Sequence, residues 1–188
     1  MRISREEVAR NRERIVEAAA QLFRERGFDG IGVAELMREA GFTHGGFYGH
    51  FSSKDELIAE ASGRALTRSL ALLTETAENA SRNPLSALAS SYLSPQHRDD
   101  PGGGCLLAAL GSDVSRQSRA VRRTATNHVR GAVELFAKLV PGKSRAARRQ
   151  KAIRIYATLV GAMVIARAVD DRELSQEILA AGRAPAKG

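Results

Sequence analysis

Phe42-Thr-His-Gly-Gly-Phe-Tyr-Gly-His-Phe-Ser-Ser-Lys54 is the stretch that decides how the rest of the chain is read. A short helical pattern over residues 33–40 precedes it, closed by Gly41. Helix, glycine turn and a second short helix with aromatics on one face make the helix-turn-helix pattern. Gly41 tolerates the positive φ that such a turn needs. Thr43 suits the N-cap of the second helix, where its hydroxyl can accept from a free backbone N–H. Phe47 and Phe51 fall on the inner face of that helix, whereas Tyr48 is out of phase with both. This second helix is the one expected to enter a DNA major groove.

Working outward, residues 4–26 read as a first helix. Ser4 and Glu7 have capping-box spacing. Val8, Ile15, Ala19, Leu22 and Phe23 form an apolar stripe, and Gly27 stops the helix. Phe28 is expected to pack beneath the second helix, whose inner face is Val33, Leu36, Met37 and Ala40. Ser53-Lys-Asp-Glu56 is a second capping box and opens a fourth helix over residues 54–79. Its apolar positions, from Leu57 to Leu73, carry it out of a three-helix head and into the body.

Downstream, Asn83 as N-cap with Pro84 at the first helical position opens a fifth helix that ends near Tyr92. Residues 94–104 hold two prolines, Asp99-Asp100 and three consecutive glycines, and read as a mobile loop. A sixth helix covers 105–116. A seventh covers 118–140, with Val121, Ala125, Val129, Ala132, Phe136 and Leu139 on one side, and Pro141-Gly142 ends it. Ser144 caps an eighth that runs to 169. A ninth spans 173–181, and residues 183–188 are expected to fray. There is no strand pattern and no internal repeat. The expectation is an all-α fold of about nine helices. Residues 1–53 make the helix-turn-helix head, the 54–79 helix bridges, and 54–188 form an effector-binding and dimerisation body.

The eighth helix is the second informative stretch. From Ile153 to Val169 only Arg154 and Arg167 are charged, and apolar residues face more than one way. A helix apolar all round must be covered all round. A homodimer supplies the missing cover, with Tyr156, Val160, Gly161, Met163 and Val164 as the expected interface and Ala157 and Gly161 small enough for close approach. A membrane span is the rival, but the uncharged run of residues 155–166 is far short of the ~20 residues a bilayer needs.

The bulk numbers bound the function classes. At 188 residues the chain can bury a core without disulfides or metal, and its one cysteine excludes an intrachain disulfide framework or a Cys-rich zinc site. The N-terminus lacks a signal peptide's apolar stretch, so a cytoplasmic protein is the simplest reading. The net charge of +8 points to nucleic acid, but its distribution does not. Residues 1–54 carry 9 Lys and Arg against 8 Asp and Glu, and residues 116–154 carry 12 against 1. The basic excess lies outside the helix-turn-helix, so the DNA argument rests on the motif. A solvated face of two helices accounts for the basic run, with long-range attraction for DNA or an acidic ligand as the sharper readings.

The N-terminal third resembles the DNA-binding domain of TetR-family transcriptional regulators. The matching pieces are Arg14-Ile-Val-Glu-Ala-Ala19, Leu22-Phe23, Gly27-Phe28, Val33-Ala-Glu-Leu36, Ala40-Gly-Phe-Thr43, Phe47-Tyr-Gly-His-Phe51 and Ser53-Lys-Asp-Glu-Leu57, contiguous and in order. The resemblance implies a homodimer docked through helices eight and nine, with a small-molecule effector in the body and a double-stranded DNA operator. By position, Thr43, Tyr48, His50 and Lys54 resemble phosphate-contacting residues, with Arg14 as a further sequence-independent contact, and His44 resembles a base-reading one. The chemistry agrees, since Tyr, His and Lys donate to phosphate oxygens and His can meet a base edge. Gly45 and Gly46 would let the backbone approach the duplex. Three departures stand out. Ile31 and Gly32 replace a small hydroxyl residue at the start of helix two, Gly46 replaces a contacting residue, and Gly49 replaces a larger one. Modest specificity per half-site follows. The body is similar in architecture only.

In the body, Tyr92, Cys105, His128 and Phe136 are the expected pocket residues. Cys105 opens a helix behind three glycines, which would favour a thiolate and admit a reagent. An inert small hydrophobe is the commoner role of a lone cysteine, and a satisfied structural partner is the commoner role of a helical histidine. The leading function is a homodimeric DNA-binding repressor released by a small molecule. The alternative is a helix-turn-helix adaptor regulated by a protein partner or by Cys105 modification. No nucleophile–base motif, phosphate loop, metal cluster or cofactor motif supports an enzyme, even counting Cys105 with His44, His50, His97 or His128.

Overall fold

The computed structural model describes residues 4–184. The first three residues, and residues 185–188 of the tail expected to fray, lie outside the described residues. Nine α-helices and one 3₁₀ helix make up the fold, and no strand occurs among the described residues. The head is α1 (Arg5–Arg26), α2 (Val33–Glu39) and the 3₁₀ helix His44–Gly49. The body follows as α3 (Lys54–Glu78), α4 (Pro84–Tyr92), α5 (Pro95–Asp99), α6 (Leu106–Val114), α7 (Arg119–Leu139), α8 (Arg145–Ala168) and α9 (Arg172–Gly182).

The helix starts follow the sequence signals. The Ser4 hydroxyl accepts from the Glu7 N–H at 3.1 Å, and the Asn83 side chain accepts from the Ser86 N–H at 3.0 Å. Ser144 does the same for Ala147 at 3.1 Å. Ser53 caps α3 through the Glu56 N–H, but Glu56 reaches back one residue further than a capping box requires. It accepts from both the N–H and the hydroxyl of Ser52, at 2.8 and 2.7 Å. Gly41 closes the turn after α2 at φ +83°, a region open to glycine and costly for other residues.

Three expectations are corrected. Residues 94–104 are not a bare loop: Ser94 caps α5 through the His97 N–H at 3.1 Å, and Pro95 stands at its first position. This repeats the Asn83-Pro84 signature, which the glycines behind it obscured. Arg183 is not frayed, because its guanidinium donates to the Leu93 carbonyl. Val8 is 39% exposed and lies off the apolar stripe of α1.

α3 is the spine. It packs on α1, α4 and α7, while α7 packs on α8 and α8 on α9. One core cluster holds Phe23, Phe28, Phe47 and Phe51 of the head together with Leu106, Leu110, Val114 and Val121 of α6 and α7. A second holds Leu88, Phe136, Tyr156, Leu159 and Met163 of the body. The head therefore shares its core with α6 and the start of α7. Burying each of these phenylalanines contributes about 1.5–3 kcal/mol.

Candidate nucleic-acid interface and body cavity

The second helix of the helix-turn-helix is a 3₁₀ helix, with the Gly46 N–H bonded to the Thr43 carbonyl at 3.1 Å. Three glycines in six residues explain this. Each costs roughly 1 kcal/mol in an α-helix, and 3₁₀ geometry serves short pieces. Thr43 occupies the N-cap, but its hydroxyl makes no capping bond, contrary to expectation. Gly32 likewise caps α2 without a side-chain bond, and Ile31 is buried in the head core instead.

Phe47 and Phe51 are buried with rings stacked at 5.5 Å. Tyr48 is 69% exposed, and its ring lies 6.3 Å from that of His44. Thr43, His44, Gly45 and Tyr48 form one exposed surface, and a side chain at Gly45 or Gly49 would meet nothing within 4 Å. Lys54, at the start of α3, is half-buried and in no ion pair among the described residues. His50 is partly withdrawn: its Nδ1 is buried without a hydrogen-bond partner among the described residues, so only Nε2 could face a phosphate. The Arg14 guanidinium stacks 4.9 Å from the centre of the Phe42 ring, which places it against the turn.

Arg12 was not singled out from the sequence, yet it ties the head together. It donates to the His50 carbonyl, to Glu56 at 2.9 Å and to Glu60 at 2.6 Å, and it lies 4.1 Å from the centre of the Phe51 ring. The two Ser52 donors, followed by Arg12, hold the Glu56 carboxyl at about 2. The sequence signal was the i,i+4 spacing of Glu56 and Glu60, which puts two carboxylates on one face of α3.

In the body, α3, α4 and the 103–105 segment enclose a cavity of about 390 Å³, lined by Arg24, Leu72, Leu88, Tyr92, His97 and Cys105 among others. Of the expected pocket residues, Tyr92 and Cys105 line it. His128 and Phe136 do not. His128 is buried behind it, with Nδ1 donating to the Leu66 carbonyl and Nε2 accepting from the Tyr156 hydroxyl, both at 2.9 Å. Phe136 is fully buried in the body core, its ring 5.9 Å from Tyr156. Of the expected interface residues on α8, Tyr156 and Met163 are likewise core, at 5% and 0% exposure, and are not available to a partner. Val164 is 43% exposed, and Ile153 and Ile165 on the same helix are 46% and 53% exposed.

Cys105 is buried at the N-cap of α6. Burial works to raise its thiol, but the polar surroundings of His128, Tyr92 and the Ala108 N–H outweigh that and bring it down from 9.0 to about 7. The Cys105 N–H donates to His97 Nε2 at 3.0 Å, while His97 Nδ1 donates to the Tyr92 carbonyl at 2.6 Å. A single tautomer satisfies both bonds, and burial keeps the imidazole below its ordinary 6.5. Among the described residues no group of three His, Cys, Asp or Glu could hold a metal ion, and no helix is long and apolar enough to cross a membrane. The basic residues Arg119, Arg122, Arg123 and Arg130 lie exposed along α7.

Residues 15–61 match the family model described as bacterial regulatory proteins, tetR family. The chain is 30% identical over 111 residues to the HTH-type transcriptional repressor DhaR of Mycobacterium sp. (strain GP1), covering 59% of this chain and 56% of that one. It is 28% identical over 128 residues to the HTH-type transcriptional repressor NemR of Escherichia coli (strain K12), covering 66% and 64%. The match thus spans less than two thirds of either relative's length. Among solved structures, the reduced form of E. coli NemR superposes with a TM-score of 0.78 at 26% identity, over 95% of each chain. A TetR-family regulator from Cytophaga hutchinsonii superposes with a TM-score of 0.80 at 20% identity, over 100% and 98%, and that likeness is one of fold.

Proposed function

We propose that the protein, whose residues 15–61 match the tetR family model and whose all-helical fold is similar to that of a TetR-family regulator, is a homodimeric, operator-binding transcriptional repressor of the cytoplasm, released by a small molecule. The observation that carries the DNA role is the exposed pair His44 and Tyr48 standing opposite the buried pair Phe47 and Phe51. The inward rings fix the helix, and the outward groups are left to the duplex. Tyr48 and Lys54 donate to phosphates and set register, while His44 reads a base edge. Thr43, His50 through Nε2, and Arg14 border the same surface, and Gly45 and Gly46 let the backbone come close.

The dimer reading rests on α8. Ile153, Ala157, Val160, Gly161 and Val164 recur along one face that this protomer leaves partly or fully open, and a side chain added at Gly161 would meet nothing within 4 Å. A second copy of α8 would cover that face and set two recognition helices about one DNA turn apart. A ligand that favours another spacing then shifts the population off the operator. Selection of bound duplexes from a randomised DNA pool tests this. A palindromic site with half-sites about one turn apart is the expected product, and an unstructured pool after repeated rounds would refute it.

One observation favours a second mode of release. Cys105 lines the cavity with its thiol brought down to about 7, and a similar chain, E. coli NemR, has been solved in a form described as reduced. A thiolate at neutral pH reacts with electrophiles that a thiol ignores. Alkylation by iodoacetamide should release the DNA from wild type and leave Cys105→Ala bound. Equal behaviour of the two would return Cys105 to a packing role.

A further inference from the structure

Arg24 stands on α1 of the head, yet its side chain reaches the body cavity and is 6% exposed. One nitrogen, Nη1, donates to the Gly104 carbonyl at 3.0 Å. Nε is buried with no hydrogen-bond partner, and no carboxylate lies within 4.0 Å of the guanidinium among the described residues. A buried guanidinium held by one neutral carbonyl is incompletely compensated. The edge formed by Nε and Nη2 hydrogen-bonds to nothing among the described residues, and that edge is one on which an arginine grips a carboxylate with two parallel bonds. The same cavity holds a second unmet donor. The Tyr92 hydroxyl is buried and has no hydrogen-bond partner among the described residues.

The rest of the lining defines the ligand further. Arg68 lies at the Arg24 end, paired with Glu17 at 2.8 Å. Glu75, the acidic residue of the lining, is seven positions further along α3, about 10 Å away by helix rise. Leu72, Leu73 and Leu88 fill the wall between. One end is cationic with open donors and the middle is apolar.

We propose that this cavity binds a small organic acid, its carboxylate held by Arg24 and its apolar body against Leu73 and Leu88. The proposal deepens the effector reading above by naming the effector's chemical class. It also places the ligand directly against the head, because the residue that holds the charge belongs to α1. A bound acid then acts on α1 without first rearranging the dimer.

Calorimetry on the full chain without DNA tests it, using benzoate against benzamide and hexanoate against hexanamide. Each pair differs in charge at nearly constant shape. The acids should bind at least tenfold more tightly than their amides. That preference should collapse in Arg24→Gln and survive in Arg24→Lys and in Arg68→Gln. Binding also reports on the Arg24 Nε–Hε NMR signal, which benzoate should shift and benzamide should not, so wild type alone suffices if Arg24→Gln does not fold. Acids and amides binding alike, no acid binding, or an acid preference that persists in Arg24→Gln would each overturn the proposal. A chain that selects an operator but shows no acid preference loses this proposal alone. One that shows the preference but selects no DNA loses the repressor reading alone.

Discussion

The backbone N–H of Cys105 donates to Nε2 of His97 at 3.0 Å. The same imidazole donates from Nδ1 to the Tyr92 carbonyl, so one neutral histidine joins α4 to the first turn of α6. Arg167 reinforces the junction by donating to the carbonyls of His97 and Arg98. The segment that carries Cys105 is thus held from both sides of the cavity.

A pH dependence follows. Burial holds the folded-state imidazole of His97 below its ordinary 6.5. As pH falls through 6.5 the unfolded chain takes up this proton first, so the contribution is complete above that value and is lost below it. The thermal midpoint of wild type should fall as pH drops from 7.5 towards 5.5. His97→Ala should be about 1–3 kcal/mol less stable at pH 7.5 and flatter over this window. Glu56, held at about 2, adds its own loss only as pH falls from 4.5 towards 2. Equal slopes for wild type and His97→Ala between pH 7.5 and 5.5 would contradict this account.

Arg12→Met removes the bonds to the His50 carbonyl, Glu56 and Glu60 at once. The expected cost is about 1–3 kcal/mol in chemical denaturation, with weaker binding to every DNA sequence and unchanged helix content. Undiminished DNA affinity would mean that the end of the recognition helix is positioned without it.

Lys54 and His44 should separate by kind of effect. Lys54→Ala should weaken all sequences alike and reduce the log–log salt slope by about 1. His44→Ala should relax the preference at one base pair by about 1–3 kcal/mol. Equal losses on specific and scrambled DNA for both variants would remove the base-reading role.

On α8, Val164→Asp with Ile153→Asp places two charges on the open face. Sedimentation should change from dimer to monomer, and operator binding should be lost with the fold intact. A double variant that stays dimeric would move the interface elsewhere.

Most roles that depend on a residue's own neighbours in the chain were legible, although the Thr43 hydroxyl makes no capping bond. Asn83-Pro84, Ser144, Gly41 and the phase of Phe47 against Tyr48 all emerge as read. Roles set by contacts distant in sequence were not legible. Arg12 meets Glu56 and Glu60 across 44 and 48 residues, and Arg24 meets Gly104 across 80. Phe136, Tyr156 and Met163 lie on faces that periodicity marks as apolar, and periodicity does not distinguish a cavity wall or a partner's surface from the core. The 94–104 segment shows the opposite failure, since glycine and proline content outweighed a cap signal at Ser94-Pro95. The glycines of the recognition helix mark it as intrinsically weak, but a weak helix-former does not by itself say that the segment takes a 3₁₀ rather than an α conformation.

The most direct test of the central claim is fluorescence anisotropy of the full chain on its selected duplex against a scrambled one, across a salt series. Dimeric, competitor-resistant binding at least a thousandfold tighter than to scrambled DNA, with affinity falling steeply with salt, is the predicted result. Binding of equal strength to both duplexes would contradict a sequence-specific regulator.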